Sequence, residues 1–176
     1  MIPKIISEEV KYKGQWFDVV AQNLDLGNGK TDIWESLKMG QGVATVALDD
    51  DNNVCIGREY KVVHRDFIYT IAAGGINTDS EKVLKDQAIR ELREEFGFNA
   101  RRIEKIATVM NDGRSSLRWH IYLARDIYHD PLEKDPGEVI ETLKVPIDEA
   151  IKLMLTNKTH SIALLGILLV KEKLKL

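Results

Sequence analysis

The chain has 176 residues, with 25 Lys and Arg against 28 Asp and Glu, a formal charge of −3, and it is 44% hydrophobic and 30% charged. Such a length and mixture fit one soluble globular domain, or one domain with a short accessory lobe, that needs no covalent staples. A mildly acidic chain whose one cysteine is Cys55 excludes nucleic-acid binding by bulk charge, an internal disulfide framework and a multi-cysteine zinc site.

In chain order, residues 1–14 lack the apolar core of a signal peptide, so a cytoplasmic protein is expected. Residues 4–12, 15–26 and 31–38 read as strands, and Asn28-Gly29 between apolar-alternating arms is a type I′ hairpin signal. Gly29-Lys30-Thr31 imitates the end of a phosphate-binding loop, but the glycine required five positions earlier is Leu24 and no helical pattern follows. Residues 42–49 and 54–63 form a second strand pair, turned by Asp50-Asp51-Asn52-Asn53, a solvated turn without calcium-loop spacing. Residues 67–73 read as a short strand ending in Gly74-Gly75, and a helix follows over 79–96, stopped by Gly97. Residues 102–110, 119–124 and 139–145 are further strands, and 146–155 and 161–174 are helices. The apolar run 162–170 is too short to cross a bilayer and reads as a core-packing helix. Strands with one central and two terminal helices make an α+β domain.

Chemistry concentrates in the central helix. At about 100° per residue, Leu84, Ala88, Ile89, Leu92 and Phe96 share one arc, and Glu95 falls inside it, with Glu91 beside it and Glu94 further round. A carboxylate in an apolar stripe costs several kcal/mol unless it has a partner. Glu91 and Glu95 are also like charges four residues apart, whereas Arg90 and Glu94 are spaced to pair. Converging carboxylates suit a hard divalent ion, Mg²⁺ best, and the Gly74-Gly75 turn lets backbone carbonyls of Ala73 or Gly74 approach it. The competing reading is a solvated, salt-bridged helix face.

At these residues the sequence resembles the Nudix hydrolases, whose box ends R-E-U-x-E-E-x-G-U with U aliphatic. Arg90-Glu91-Leu92-Arg93-Glu94-Glu95-Phe96-Gly97-Phe98 matches that half, with Phe98 at the last U. The resemblance runs over nearly the whole chain, through Lys13-Gly-Gln-Trp-Phe-Asp-Val, Gln41-Gly-Val-Ala-Thr-Val, Ile56-Gly-Arg-Glu-Tyr-Lys, Ala72-Ala-Gly-Gly-Ile and Tyr122-Leu-Ala-Arg-Asp-Ile, and it points to the ADP-ribose pyrophosphatase-like branch. It implies an α/β/α sandwich of mixed sheet carrying a catalytic helix over 41–176, and an N-terminal antiparallel β-hairpin lobe over 1–40 that exchanges strands in a homodimer. It also implies Mg²⁺-dependent hydrolysis, with Mn²⁺ as substitute, of a nucleoside diphosphate sugar, ADP-ribose giving AMP and ribose 5-phosphate. Glu91, Glu94, Glu95, Glu138 and the Ala73 carbonyl would hold metal, and Arg90 would orient the carboxylates. Trp16 and Phe17 match the region that stacks on the base, or else form a core aromatic pair; Trp34 stacks or packs the hairpin; Arg58 and Arg114 are candidate phosphate or pocket contacts.

The match breaks in four places. Gly74 to Arg90 is two residues too long, so Glu81 is either the displaced box glutamate or part of a Thr78-x-x-Glu81 capping box. Thr70-Ile-Ala-Ala-Gly has lost an acid and a proline, Trp34-Glu35 stands where the branch often has Arg-Glu, and Asp135-Pro136-Gly137-Glu138 has lost the first of the two glutamates of its loop. Glu138 then serves as ligand or base, with Glu141 and Glu133 in reserve. Two other readings stay open: hydrolysis of a dinucleoside polyphosphate or an oxidised nucleoside triphosphate, and a nucleotide-sugar binding module that has lost turnover.

Overall fold

A computed structural model describes residues 2–134 and 136–176, so Asp135 of the acidic loop lies outside the described residues. The chain divides into two compact units, residues 1–41 with 110–118, and residues 42–109 with 119–176.

In the first unit, β1 (Lys4–Lys13), β2 (Phe17–Gly27) and β3 (Lys30–Met39) form an antiparallel sheet in the order β1-β2-β3. Gly27 pairs with Lys30, and Asn28 and Gly29 take φ of 52° and 77°, the left-handed pair that a type I′ turn demands. Residues of the 110–118 segment extend this sheet: the Leu37 amide donates to the Arg114 carbonyl at 2.8 Å and the Ser116 amide donates to the Leu37 carbonyl at 2.9 Å. Val20, Ala21 and Leu24 of β2 are buried, whereas β1 is exposed along its whole length.

The second unit is built on the sheet β10-β5-β4-β9-β8, with β6 added to β5 and β7 to β4. Its strands are β4 (Gln41–Leu48), β5 (Asn53–Lys61), β6 (Asp66–Thr70), β7 (Ala72–Ile76), β8 (Phe98–Met110), β9 (Arg118–His129) and β10 (Ile140–Pro146). All eight residues of β4 are buried, because both faces of this central strand are covered. Val43 packs with Leu84, Ala88 and Tyr122 on the side of α1 (Glu81–Phe96). Ala44, Val46 and Leu48 pack with residues of α2 (Ile147–Thr156) and α3 (Ser161–Leu174) on the other. The result is the expected three-layer sandwich. Each fully buried Leu, Ile or Phe in these layers is worth roughly 1.5–3 kcal/mol, so the sheet is a stiff platform for α1.

Local details differ from the sequence reading. The single strand expected over 67–73 is two, β6 and β7, because the chain changes partner at Ile71; Gly74 and Gly75 lie within β7 rather than ending it. The helix begins at Glu81, and its N-cap is Ser80, whose side chain accepts from the Val83 amide, so the Thr78 capping box is not formed. Instead Thr78 Oγ1 accepts from the Ser80 amide at 3.1 Å. At the other end Gly97, with φ of 77°, donates its amide to the Arg93 and Leu92 carbonyls, ending the helix as read. The Asp49 carboxylate accepts from the Asp51 and Asn53 amides, which closes the acidic turn. No helix among the described residues is long and apolar enough to cross a membrane, and α3 buries Ile162, Ala163, Ile167 and Val170.

Candidate active site

The last two turns of α1 lie against β7. Leu84, Ala88, Leu92 and Phe96 are the apolar side chains buried on the helix, and Glu95 is buried with them at 5% exposure, as its place on the wheel requires. Its Oε2 accepts from the Ala73 amide at 3.0 Å. Desolvation, then the charge of Glu91, push the Glu95 carboxyl well above the usual carboxylate range, against the pull of the Ala73 hydrogen bond. The charges of Glu138 and Glu59 add to the upward push.

Glu91 is half-buried one turn earlier. Desolvation raises its pKa, the charges of Glu94 and Glu138 add to that, and a hydrogen bond from Gln87 Nε2 to its Oε1 at 2.6 Å opposes it. Gly74 makes room for this carboxylate. A Cβ at Gly74 would lie 1.8 Å from Glu91 Oε1 and 2.2 Å from Cδ, while one at Gly75 would meet nothing within 4 Å. Gly74 does not adopt a positive φ, so its role here is close approach and not backbone conformation. Arg90 Nε donates to Glu94 Oε1 at 2.9 Å, the expected i,i+4 pair.

The structure therefore gathers Glu91, Glu94, Glu95, Glu138 and the Ala73–Gly74 backbone, and it adds two residues that the sequence reading missed. Gln87 was legible as the i−4 neighbour of Glu91. Glu59 is a buried acid of β5, hidden in a stretch read only for its cations, and it forms an ion pair with Lys61. Among the described residues no three acidic, histidine or cysteine side chains close into a finished metal cage. Glu91 is turned to Gln87, Glu94 to Arg90 and Glu95 to the Ala73 amide. The donor set still fits a hard divalent ion: it is all oxygen, it is partly desolvated, and its two innermost carboxylates resist ionisation together unless a cation joins them.

Other candidates are placed elsewhere. Glu81 is the first residue of α1, as one reading expects, and its carboxylate accepts from Lys105 at 2.7 Å, a bond that lowers its pKa. Arg58 lies opposite Glu141 in the β5–β10 register, pairs with it at 3.0 Å, and stacks over Phe67 at 4.2 Å. That engages Glu141, and Glu133 is exposed. In the first unit Arg114 stacks over Trp34 at 5.2 Å and donates to the Glu35 carbonyl at 3.2 Å. It also lines a recess of about 280 Å³ with Gln22, Lys38 and Ser116. Trp16 is 79% exposed, which removes the core-pair reading, and Phe17 begins β2 partly exposed. Burial pushes the Cys55 thiol up to about 12, so it has no nucleophilic role.

Known proteins are similar to this chain in sequence and fold. The sequence profile of the NUDIX domain matches residues 38–165. The ADP-ribose pyrophosphatase of Bacillus subtilis (strain 168) is 27% identical over 160 residues, covering 89% of this chain and 85% of that protein. The ADP compounds hydrolase NudE of Escherichia coli (strain K12) is 27% identical over 179 residues, covering 98% and 94%. A crystal structure of an ADP compounds hydrolase superposes with a TM-score of 0.87 at 25% identity, over 99% of this chain and 95% of that one.

Proposed function

The chain belongs to the NUDIX domain family and is a Nudix pyrophosphohydrolase, and on that premise we propose that it hydrolyses the pyrophosphate of a nucleoside diphosphate sugar with the help of Mg²⁺. ADP-ribose and water would give AMP and ribose 5-phosphate. The observation that carries this reading is the pair Glu91 and Glu95 on successive turns of α1, one against Gly74 and one buried on the Ala73 amide, with desolvation raising both pKa values. Such a cluster is unfavourable alone and favourable around a divalent cation.

In this reading Glu91, Glu94, Glu95 and the Ala73 carbonyl hold the ion, with Glu138 completing the set or accepting the proton of the attacking water. Bound there, Mg²⁺ supplies charge neutralisation for the pyrophosphate and acidifies that water. Arg90 orients Glu94, Gln87 orients Glu91, and the Ala73 amide fixes Glu95. Trp16, Phe17 and Trp34 offer aromatic faces to a base, and Arg114 a cation to a phosphate. Arg58 reaches a phosphate only by leaving Glu141, a loss of about 0–1 kcal/mol for an exposed pair.

A homodimer belongs to the same reading. β1 exposes Ile5, Ile6, Val10 and Tyr12 on a strand with a free edge, an arrangement that invites pairing with a second copy. Light scattering should return twice the chain mass of 20.0 kDa.

The relative named for ADP compounds in general favours a second reading, a wider range of ADP-containing substrates. One panel tests both: ADP-ribose, GDP-mannose, a dinucleoside polyphosphate and an oxidised nucleoside triphosphate, each with Mg²⁺ and mass detection. AMP and ribose 5-phosphate as the fastest-formed products support the first reading; faster cleavage of the dinucleoside polyphosphate supports the second. Tight binding of ADP-ribose with no product from any of them refutes turnover.

A further inference from the structure

A second charged feature lies in the second unit, at the β8 edge of the sheet, on residues that the hydrolytic reading leaves unused. A groove of about 390 Å³ is lined by Lys85 of α1, Arg101, Arg102 and Glu104 of β8, and Arg125 of β9. Ile103, packed on the α1 side of the sheet, and the buried Leu123, in the core on the other side, are its apolar lining residues. Four cations and one acid therefore line it, with a second acid, Asp126, bonded to Arg102, in a chain whose net charge is −3.

The local ion pairs do not cancel this excess. Glu104 pairs with Lys173 at 3.3 Å, so its charge is shared outside the groove. Arg102 is held by Asp126 through two hydrogen bonds, and Arg101 and Arg125 also lower the pKa of that same carboxylate, so three guanidiniums crowd one acid. Among the described residues Lys85, Arg101 and Arg125 have no ion-pair partner. Arg101 is nonetheless fixed, its guanidinium stacked 4.9 Å from the Tyr128 ring centre. Two of the three arginines are thus oriented before any ligand arrives, which lowers the entropy cost of binding.

We propose that this groove binds a small molecule carrying two or more phosphates. Guanidinium forks match phosphate oxygens in pairs, and clustered arginines repel one another until an anion joins them. The volume is in the range of small-molecule sites, and a pI near 5.8 disfavours an extended nucleic-acid track, so a compact polyphosphate is the ligand class proposed. Lys85 precedes Glu91 by six residues, about 9 Å along the helix axis and on a different side. An anion held there would touch α1 outside the hydrolytic cluster.

The test uses the full chain in EDTA, where the glutamate cluster repels anions, with inorganic tripolyphosphate as the probe. Calorimetry should give saturable one-to-one binding, weakened at least tenfold in R101A/R125A and retained in E91Q/E95Q. Amide chemical shifts should move at residues 85, 101–104 and 123–125 and stay fixed at 73–75 and 91–95. K85E, a charge reversal on an exposed helix position, should also weaken binding and decides the matter if the double variant does not fold. Absence of saturable binding, equal affinity in both R101A/R125A and K85E, or a footprint at 73–75 overturns the proposal. So does a twelve-nucleotide single strand that binds more tightly than tripolyphosphate. Because the assay is metal-free and reads different residues, its failure and the failure of the hydrolytic reading are separate events.

Discussion

Replacing Gly74 by Ala is the sharpest perturbation of the cluster, because the three atoms nearest to the new methyl group all belong to the Glu91 carboxylate. The new Cβ would lie 1.8 Å from Glu91 Oε1, and relief to an ordinary contact of 3.4 Å moves the carboxylate by about 1.6 Å. The obstructing atoms are the end of a flexible side chain and Gly74 has no positive φ, so the fold absorbs the change cheaply. Function does not, since a misplacement of about 1 Å in a catalytic group costs on the order of 10²-fold. G74A should therefore lose at least about 10²-fold in kcat/KM with Mg²⁺, equivalent to about 2.7 kcal/mol of transition-state stabilisation. G75A is the matched control, as its Cβ meets nothing within 4 Å, and it should retain activity. Initial rates on ADP-ribose and thermal melts of both variants make the comparison. Full activity in G74A, or equal loss in G75A, would refute the placement of Glu91 in the site.

Three further outcomes follow from burial. Because the folded Glu95 pKa lies above its unfolded value, the metal-free protein loses stability as pH rises from the usual carboxylate range through the folded pKa. E95Q should thus melt at a higher temperature than wild type in EDTA near pH 7.5, with the gain vanishing near pH 4; no gain at the higher pH would show that Glu95 carries no desolvation penalty. Tyr122 is buried at 2% exposure, its hydroxyl has no hydrogen-bond partner among the described residues, and burial pushes its pKa up to about 12. Y122F should be neutral or stabilising by up to about 1 kcal/mol, and a destabilisation of several kcal/mol in urea melts would reveal a hidden partner. Gly42 meets the Trp119 ring, where a Cβ would fall 2.4 Å from the nearest carbon, so G42A should cost roughly 1–3 kcal/mol, and an unchanged melt would contradict that packing.

Much of this architecture was legible because periodicity and turn chemistry agree along the chain. Asn28-Gly29 gave its hairpin, the 3.6-residue stripe gave α1, and the intrusion of Glu95 into that stripe marked the one buried acid of the helix. The misses were tertiary in origin. Nothing at Ile71 signals a turn, so the break between β6 and β7 reflects a change of sheet partner that local sequence does not encode. The pairing of Arg58 with Glu141 depends on the register of strands more than eighty residues apart. Thr78 and Ser80 are both good caps, and the contest between them was decided by Thr78 Oγ1 bonding the Ser80 amide. Gln87 escaped notice because a neutral side chain beside three glutamates carries no charge pattern, although its spacing to Glu91 is that of a helix pair.

The central claim is that the carboxylates of α1 form the divalent-ion centre. Its most direct measurement is a Mn²⁺ titration of wild type and E91Q/E95Q, with free ion counted by electron paramagnetic resonance. The expected result is saturable binding in wild type that weakens at least tenfold in the variant while its circular dichroism is unchanged. Equal Mn²⁺ affinity in the two proteins would contradict the claim.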